Sequence, residues 1–456
     1  MAGGRIMKEN ISFLLVLVLF AVVPFQSYSM DFGLFLDDST RLSSVEGASF
    51  FQKDKFSLWL NTERGKHLSF SMQGSYTYAI GHPYFFDLDH FYLDGMFPEA
   101  VGSSSLLNLN LGRFVFSDFS GNILDHNVDG LRLELNYPKV IFTLSAGYTG
   151  LLFKESSSVI LSKADSSDSS KGDILFAPPR IVGAVELLFP ELFARQDLVI
   201  SCLAQQDFRG EDEIVAAGEV NEILGKGGKL HSQYYGLGLS GPLSSSFFYD
   251  SYFYLESGKT LSYTADSSSV TDYSYEYTLL LSYLFGGGLR YYMKGDHFSK
   301  IEFNFLFSSG DEDYESFIEG NTADNAGSFV PISRPDLGLV FSPQLGNIFS
   351  AELSYSTKPL AKKGYRGLEN LQTILKTVAF FRPTTGPISE GGIDTSSDSL
   401  YLGTEIDTII NFRPFSDLGI SLTAGLFIPN NGSGGAFLET DRELEALARL
   451  DFSFSF

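Results

Sequence analysis

The stretch Arg449-Leu450-Asp451-Phe452-Ser453-Phe454-Ser455-Phe456 places Leu450, Phe452, Phe454 and Phe456 on one parity and Arg449, Asp451, Ser453 and Ser455 on the other. Successive side chains of a strand point to opposite faces, so this is a β-strand with one greasy face and one wet face. The same period runs back through the preceding hairpin. Leu402, Ile406, Ile410 and Phe412 share a face against Glu405, Asp407, Asn411 and Arg413. Residues 414–417 then turn the chain, and Ile420, Leu422, Ala424, Leu426 and Ile428 return opposite Ser421 and Thr423. A strand over 400–412 is long for a soluble sheet. It suits a bilayer, which ~10 residues tilted near 45° can cross. The pattern recurs at Leu131, Leu133 and Leu135 against Arg132, Glu134 and Asn136, and at Phe142, Leu144 and Ala146 against Thr143 and Ser145.

Composition agrees. The 456 residues are 44% hydrophobic, 15% aromatic and 19% charged, too apolar for disorder, and 43 Phe, 23 Tyr and 45 Gly lean toward strands. A net charge of −23 argues against a partner such as nucleic acid. One cysteine, Cys202, excludes an intramolecular disulfide framework and any multi-thiolate metal cage.

Arg5 and Lys8 precede an apolar run at 11–25, and Ser27 and Ser29 flank Tyr28 in the spacing a signal peptidase reads. As a helix this run would reach only about 22 Å, short of the ~30 Å hydrocarbon layer. Residues 1–29 are therefore expected to be a secretory signal peptide. Beyond them no run approaches a helical span, so a membrane form must be a barrel, here 30–456 in the bacterial outer membrane.

Tight turns at 136–139, 241–245, 294–299 and 343–347 contrast with long polar stretches at 150–178, 206–231, 258–272, 309–334, 359–399 and 429–444. Short periplasmic turns and long extracellular loops are the habit of an antiparallel up-and-down transmembrane β-barrel. Three strand candidates, 273–284, 287–294 and 299–308, sit between two long loops where an even number is needed. Segment 368–381 reads either as a strand or as part of a loop folded into the pore. The expectation is an all-β barrel of roughly 16–18 strands, wide enough for an aqueous channel.

No enzyme is expected, because no nucleophile elbow or Ser–His spacing appears. His82, Asp87, Asp89 and His90 are split between faces by the period of two, and Asp311, Glu312, Asp313 and Glu315 lack the glycine and terminal glutamate of an EF-hand loop. Neither metal nor cofactor is expected. Charges on the polar parity of strands cannot face lipid, where a midplane Arg or Lys costs ~2–4 kcal/mol. Arg113, Arg132, Glu134, Arg290, Lys294, Glu405, Asp407 and Arg413 are therefore the candidates to line the lumen and set selectivity, with Arg449 and Asp451 beside them. The alternative for any one of them is an ion pair that stiffens the wall.

Phe452, Phe454 and Phe456 resemble the C-terminal signal that barrel-assembly machinery reads in outer-membrane proteins. Three further places are similar to the alginate-export family of outer-membrane barrels. They are Leu111-Gly112-Arg113 with Asp129-Gly130-Leu131-Arg132; Ser309-Gly310-Asp311 with Phe317; and Leu402-Gly403-Thr404-Glu405-Ile406-Asp407 with Gly425-Leu426-Phe427-Ile428-Pro429. The resemblance implies a barrel, eighteen-stranded in the best-known member, that passes a polysaccharide or other solute passively. The chain departs from that family in its mixed lumen charges and in the short turn at 414–417. The expected function is a passive channel for a polar solute or polysaccharide, surrounded by outer-membrane lipid. The alternatives are a surface anchor with a plugged lumen and a channel for small hydrophobic substrates.

Overall fold

The computed structural model describes residues 29–456 apart from 46, 82–83, 160–164, 166–170, 173, 212–228, 266–272, 314–324, 366, 395 and 439–441. Residues 1–28 of the expected signal peptide, together with His82, Glu315 and Phe317, lie outside the described residues. The strands are β1 (Ser29–Ser43), β2 (Ser49–Arg64), β3 (Leu68–Ala79), β4 (Phe85–Pro98), β5 (Leu106–Ser117) and β6 (Asp125–Tyr137). Then come β7 (Val140–Tyr148), β8 (Arg180–Phe193), β9 (Gln196–Asp207), β10 (Leu230–Pro242), β11 (Phe247–Ala265) and β12 (Tyr273–Tyr292). The last six are β13 (Lys300–Ser308), β14 (Ile348–Thr357), β15 (Gln372–Phe381), β16 (Tyr401–Phe415), β17 (Leu418–Pro429) and β18 (Glu445–Ser455).

Each strand pairs antiparallel with its neighbours in sequence, and β18 returns to β1, with Ser455 opposite Phe35 and Leu447 opposite Ser43. The backbone N–H and C=O of Phe456 extend that seam by pairing with Leu34 at 2.9 Å each way. Closure leaves the 18-stranded sheet without an edge, the one sheet geometry whose backbone is satisfied in lipid. Leu36, Leu111, Leu237, Leu353, Ile406 and Leu422 stay exposed on the outward parity, and Phe452 and Phe454 join them at 39% and 38%. An apolar surface that encircles the wall is a lipid-facing belt. The architecture is that of an outer-membrane barrel.

Connections after odd-numbered strands lie at one end and include 149–179, 208–229, 309–347, 382–400 and 430–444; those at the other end include 65–67, 138–139, 194–195 and 416–417. Several sequence-based boundaries move. Candidates 273–284 and 287–294 are a single strand, β12, which removes the odd count. Gly286, Gly287 and Gly288 lie in its interior, and a Cβ on Gly286 would lie 2.4 Å from Tyr252 Oη, so glycine is there for close approach. Lys294, placed on a strand by that reading, instead sits exposed in the turn before β13. Part of the loop expected at 258–272 belongs to β11, the stretch 359–399 is interrupted by β15, and 343–347 is no turn but the end of a longer loop. Leu402, expected on the greasy face, is buried inside. The register slips between Phe380 and Phe381, so Leu402 is the extra residue of a β-bulge and is re-aimed inward.

Candidate functional site

Residues 309–313 and 325–347 of the connection between β13 and β14 fold into the lumen rather than out over the mouth. Buried backbone needs partners, and the wall supplies them with side chains. Ser309 Oγ accepts from Tyr283 N at 3.0 Å and donates to Gly327 O at 2.8 Å, starting the turn inward. Ala326 bridges β12 through Leu281 N and Leu279 O, and Val330 N donates to a Glu256 carboxylate oxygen at 2.9 Å. The chain then crosses to the 118–124 connection, where Ile332 N and Ser333 N both donate to Ile123 O. On the way back Leu339 N, Val340 N and Phe341 N donate to the Glu405 carboxylate at 2.6, 3.2 and 2.7 Å. Asn347 closes the loop by accepting from Thr384 N and donating to Gly386 O, each at 2.9 Å.

Two apolar clusters hold this loop to the wall. Phe329, Ile332 and Leu345 pack with Phe114, Tyr234 and Tyr254 from the β5 to β11 side. Val340 and Phe341 pack with Val378, Phe380, Leu402 and Phe427 from β15 to β17. Phe341 stacks on Phe427 at 4.4 Å with 8° between the planes and meets Phe380 edge-on at 5.0 Å.

Between the loop and the wall formed by β15 to β18 and β1 lies a cavity of ≈ 820 Å³. The wall side carries Arg41, Arg449, Lys376 and Asp407, and the loop side carries Asp336. Arg41 and Arg449 stand directly opposite each other across β1 and β18, an arrangement that costs stability. Arg449 is relieved by Asp451 at 2.9 Å, and Asp451 in turn accepts from Ser39 Oγ at 2.6 Å. Lys376 lies 3.2 Å from Asp407 and 3.8 Å from Glu352. Arg41 has no ion pair among the described residues; its guanidinium sits 5.2 Å from the Phe51 ring centre. The exposed charges lining this cavity are thus cationic on the wall, Arg41 and Arg449, and anionic on the loop, Asp336.

The structure puts the sequence-derived candidates in different places. Arg132 and Glu134 lie on the inner wall and pair at 3.2 Å. Arg290 pairs with Asp250 and reaches Glu302 at 4.0 Å, and Asp407 reaches the cavity although only 1% of its side chain is exposed. Glu405, expected to line the lumen, is instead fully buried beneath the loop it holds. Arg413 sits exposed at the irregular end of β16, where the register shifts between Phe412 and Phe415, and Lys294 is in a turn. Neither lines the cavity. Among the described residues no group of three or more His, Cys, Asp or Glu could hold a metal.

Arg113 corrects the expectation most sharply. β4 and β5 pair only from Phe91 with Arg113 down to Pro98 with Leu106, whereas β5 stays paired with β6 as far as Ser117 with Asp125. They part just past Arg113, next to Gly112, whose φ of +127° and 2.1 Å approach of a would-be Cβ to Phe91 O exclude other residues. Arg113 fills the gap, donating to both oxygens of Asp129 at 2.9 and 2.8 Å and to Leu88 O and Leu151 O at 3.0 Å. Asn127 likewise donates to Asp89 O at 2.9 Å. These side chains replace the missing backbone ladder. Arg113→Ala is expected to lower barrel stability by about 3 kcal/mol, because it strands two carbonyls and a carboxylate. The denaturant midpoint of the heat-modifiable gel band reads this directly, and an unchanged midpoint would mean the seam is held by packing.

Sequence reasoning missed Arg41, Asp336 and Lys376. Arg41 was legible, since Met30, Phe32, Leu34 and Leu36 put it on the inward parity of β1. Lys376 lay in the ambiguous 368–381 stretch, and Asp336 has no periodic signal at all.

No family model matches the sequence, and no curated protein matches it. Solved structures do match in fold. Pseudomonas aeruginosa OccK5 (OpdH) superposes with a TM-score of 0.54 at 13% identity, covering 94% of this chain and 98% of that one. Pseudomonas aeruginosa OpdO gives 0.55 at 14% identity, covering 94% and 97%. The outer membrane protein OpdK from Pseudomonas aeruginosa gives 0.55 at 10% identity, covering 94% and 98%. The similarity to the alginate-export family is thereby overturned. Its short motifs are features of barrel construction: Gly112-Arg113 and Asp129 build the wall seam, and Gly403-Thr404-Glu405 builds a bulge and a loop anchor. The chain shares its barrel with the Pseudomonas OprD and Occ proteins.

Proposed function

We propose that this protein is a passive outer-membrane channel for small polar solutes, with its long loops outside the cell and its narrowest point between the inward loop and the β15 to β1 wall. The carrying observation is the charge arrangement there: Arg41 and Arg449 exposed on one side, Asp336 on the other. An anionic group of a passing solute would ride along the arginines and a cationic group along Asp336, each replacing hydration at the constriction. A cavity of ≈ 820 Å³ is of the size that takes a small solute. The aromatic face of β18, Phe452 with Phe454 and Phe456, is the proposed docking strip for barrel-assembly machinery.

Two apolar clusters tie the inward loop to both sides of the wall, which favours a surface anchor as the second reading. Planar-bilayer recording of the refolded barrel separates the two. A steady unitary conductance that scales with salt supports the channel. A folded, heat-modifiable barrel that stays silent makes it an anchor.

A further inference from the structure

The guanidinium of Arg442, from the 430–444 connection, is enclosed by three aromatic rings. It stands 4.8 Å from the centre of Phe341, 5.6 Å from Phe427 and 5.2 Å from Phe437. Only 7% of its side chain is exposed. Glu445 lies 3.0 Å away, and Glu390 of the 382–400 connection lies 3.8 Å away. Glu390 also reaches Arg334 of the inward loop at 3.9 Å. Asn431 donates to Arg442 O at 2.7 Å and fixes the backbone from the far side of the same connection. Two long connections at the mouth therefore meet the inward loop through one cation.

Phe341 is where those ties act. Its N–H is held by Glu405 from the wall, and its ring is held by Arg442 from the mouth. Gly338, Leu339 and Val340, directly before it, line the cavity, as does Asp336. A buried cation over an aromatic face is attracted to the ring's quadrupole more strongly than one in water, so this contact has the strength to bias a loop position. Resting on the channel reading above, we infer that Arg442 is a positioning residue for the constriction: through the Phe341 ring it sets where Asp336 stands relative to Arg41 and Arg449. The state of the outer connections is thereby read at the narrowest point of the pore.

The test uses the full barrel refolded into planar bilayers, comparing wild type with Arg442→Ala, Arg442→Met and Arg442→Lys. Heat-modifiability confirms folding of each. Ala and Met are expected to close roughly tenfold more often and to shift the reversal potential in a salt gradient, whereas Lys keeps the cation over the rings and stays near wild type. Met fills the space without charge. A Met variant that behaves as wild type would reduce Arg442 to packing and overturn the inference, as would folded Ala and Met variants with unaltered closures and selectivity while the wild type conducts. A silent wild type overturns the channel reading and this inference together.

Discussion

Glu405→Ala is expected to turn a steady channel into a flickering one and to cost the barrel about 3 kcal/mol or more. The carboxylate accepts three backbone N–H groups at 2.6, 2.7 and 3.2 Å, and it lies fully buried. Alanine leaves those donors without partners in a dry site, and each stranded buried donor costs ~1–3 kcal/mol. Water cannot easily take their place, because Val340 and Phe341 are packed against Val378, Phe380 and Phe427. Glu405→Gln keeps one acceptor oxygen and should fall between wild type and alanine. Thermal midpoints of the heat-modifiable band give the stability, and current traces give the loop motion. An alanine variant with the wild-type midpoint and a quiet trace would mean that apolar packing alone holds the loop.

The second large effect concerns selectivity. Arg41→Glu with Arg449→Glu replaces two cations by two anions on one wall of the constriction, while Asp336→Lys does the converse on the loop. The double variant is expected to move ion preference toward cations by several-fold, and Asp336→Lys toward anions. Field lines are confined there by protein of low dielectric, so the charges act more strongly than they would in bulk salt. Reversal potentials in a salt gradient report both. Shifts of equal sign, or none, would place the selective point elsewhere in the lumen. Arg41→Glu alone would turn the opposition to Arg449 into an attraction and is not expected to lose stability, whereas adding Arg449→Glu puts like charges opposite each other again and gives up the pair with Asp451, so folding of the double variant is checked by heat-modifiability.

The wall was readable from parity because a barrel strand has lipid on one side and lumen on the other for its whole length. Arg132 and Glu134 came out inward for that reason, and β16 through β18 were placed nearly to the residue. Parity failed where strands depart from regular geometry. The bulge at Leu402 reverses one residue, the β4–β5 seam at Gly112 turns Arg113 into a brace, and the gap expected between 284 and 287 lies inside β12. In each case the deciding atom belongs to a neighbouring strand: Phe91 O, Tyr252 Oη, or a cross-strand register that slips by one.

Period two determines from sequence alone that this chain is built of antiparallel strands with one apolar face, since most strands repeat one local rule. The constriction obeys no such rule. Glu405, Phe341, Arg442 and Arg41 come from a strand, an inward loop, a mouth connection and the first strand, and they meet because an 18-stranded sheet closes and a loop turns into it. Long-range pairing of that kind leaves no local signature. Only the tertiary structure decides which charged residues line the pore, which hold its loop and which merely seal its wall.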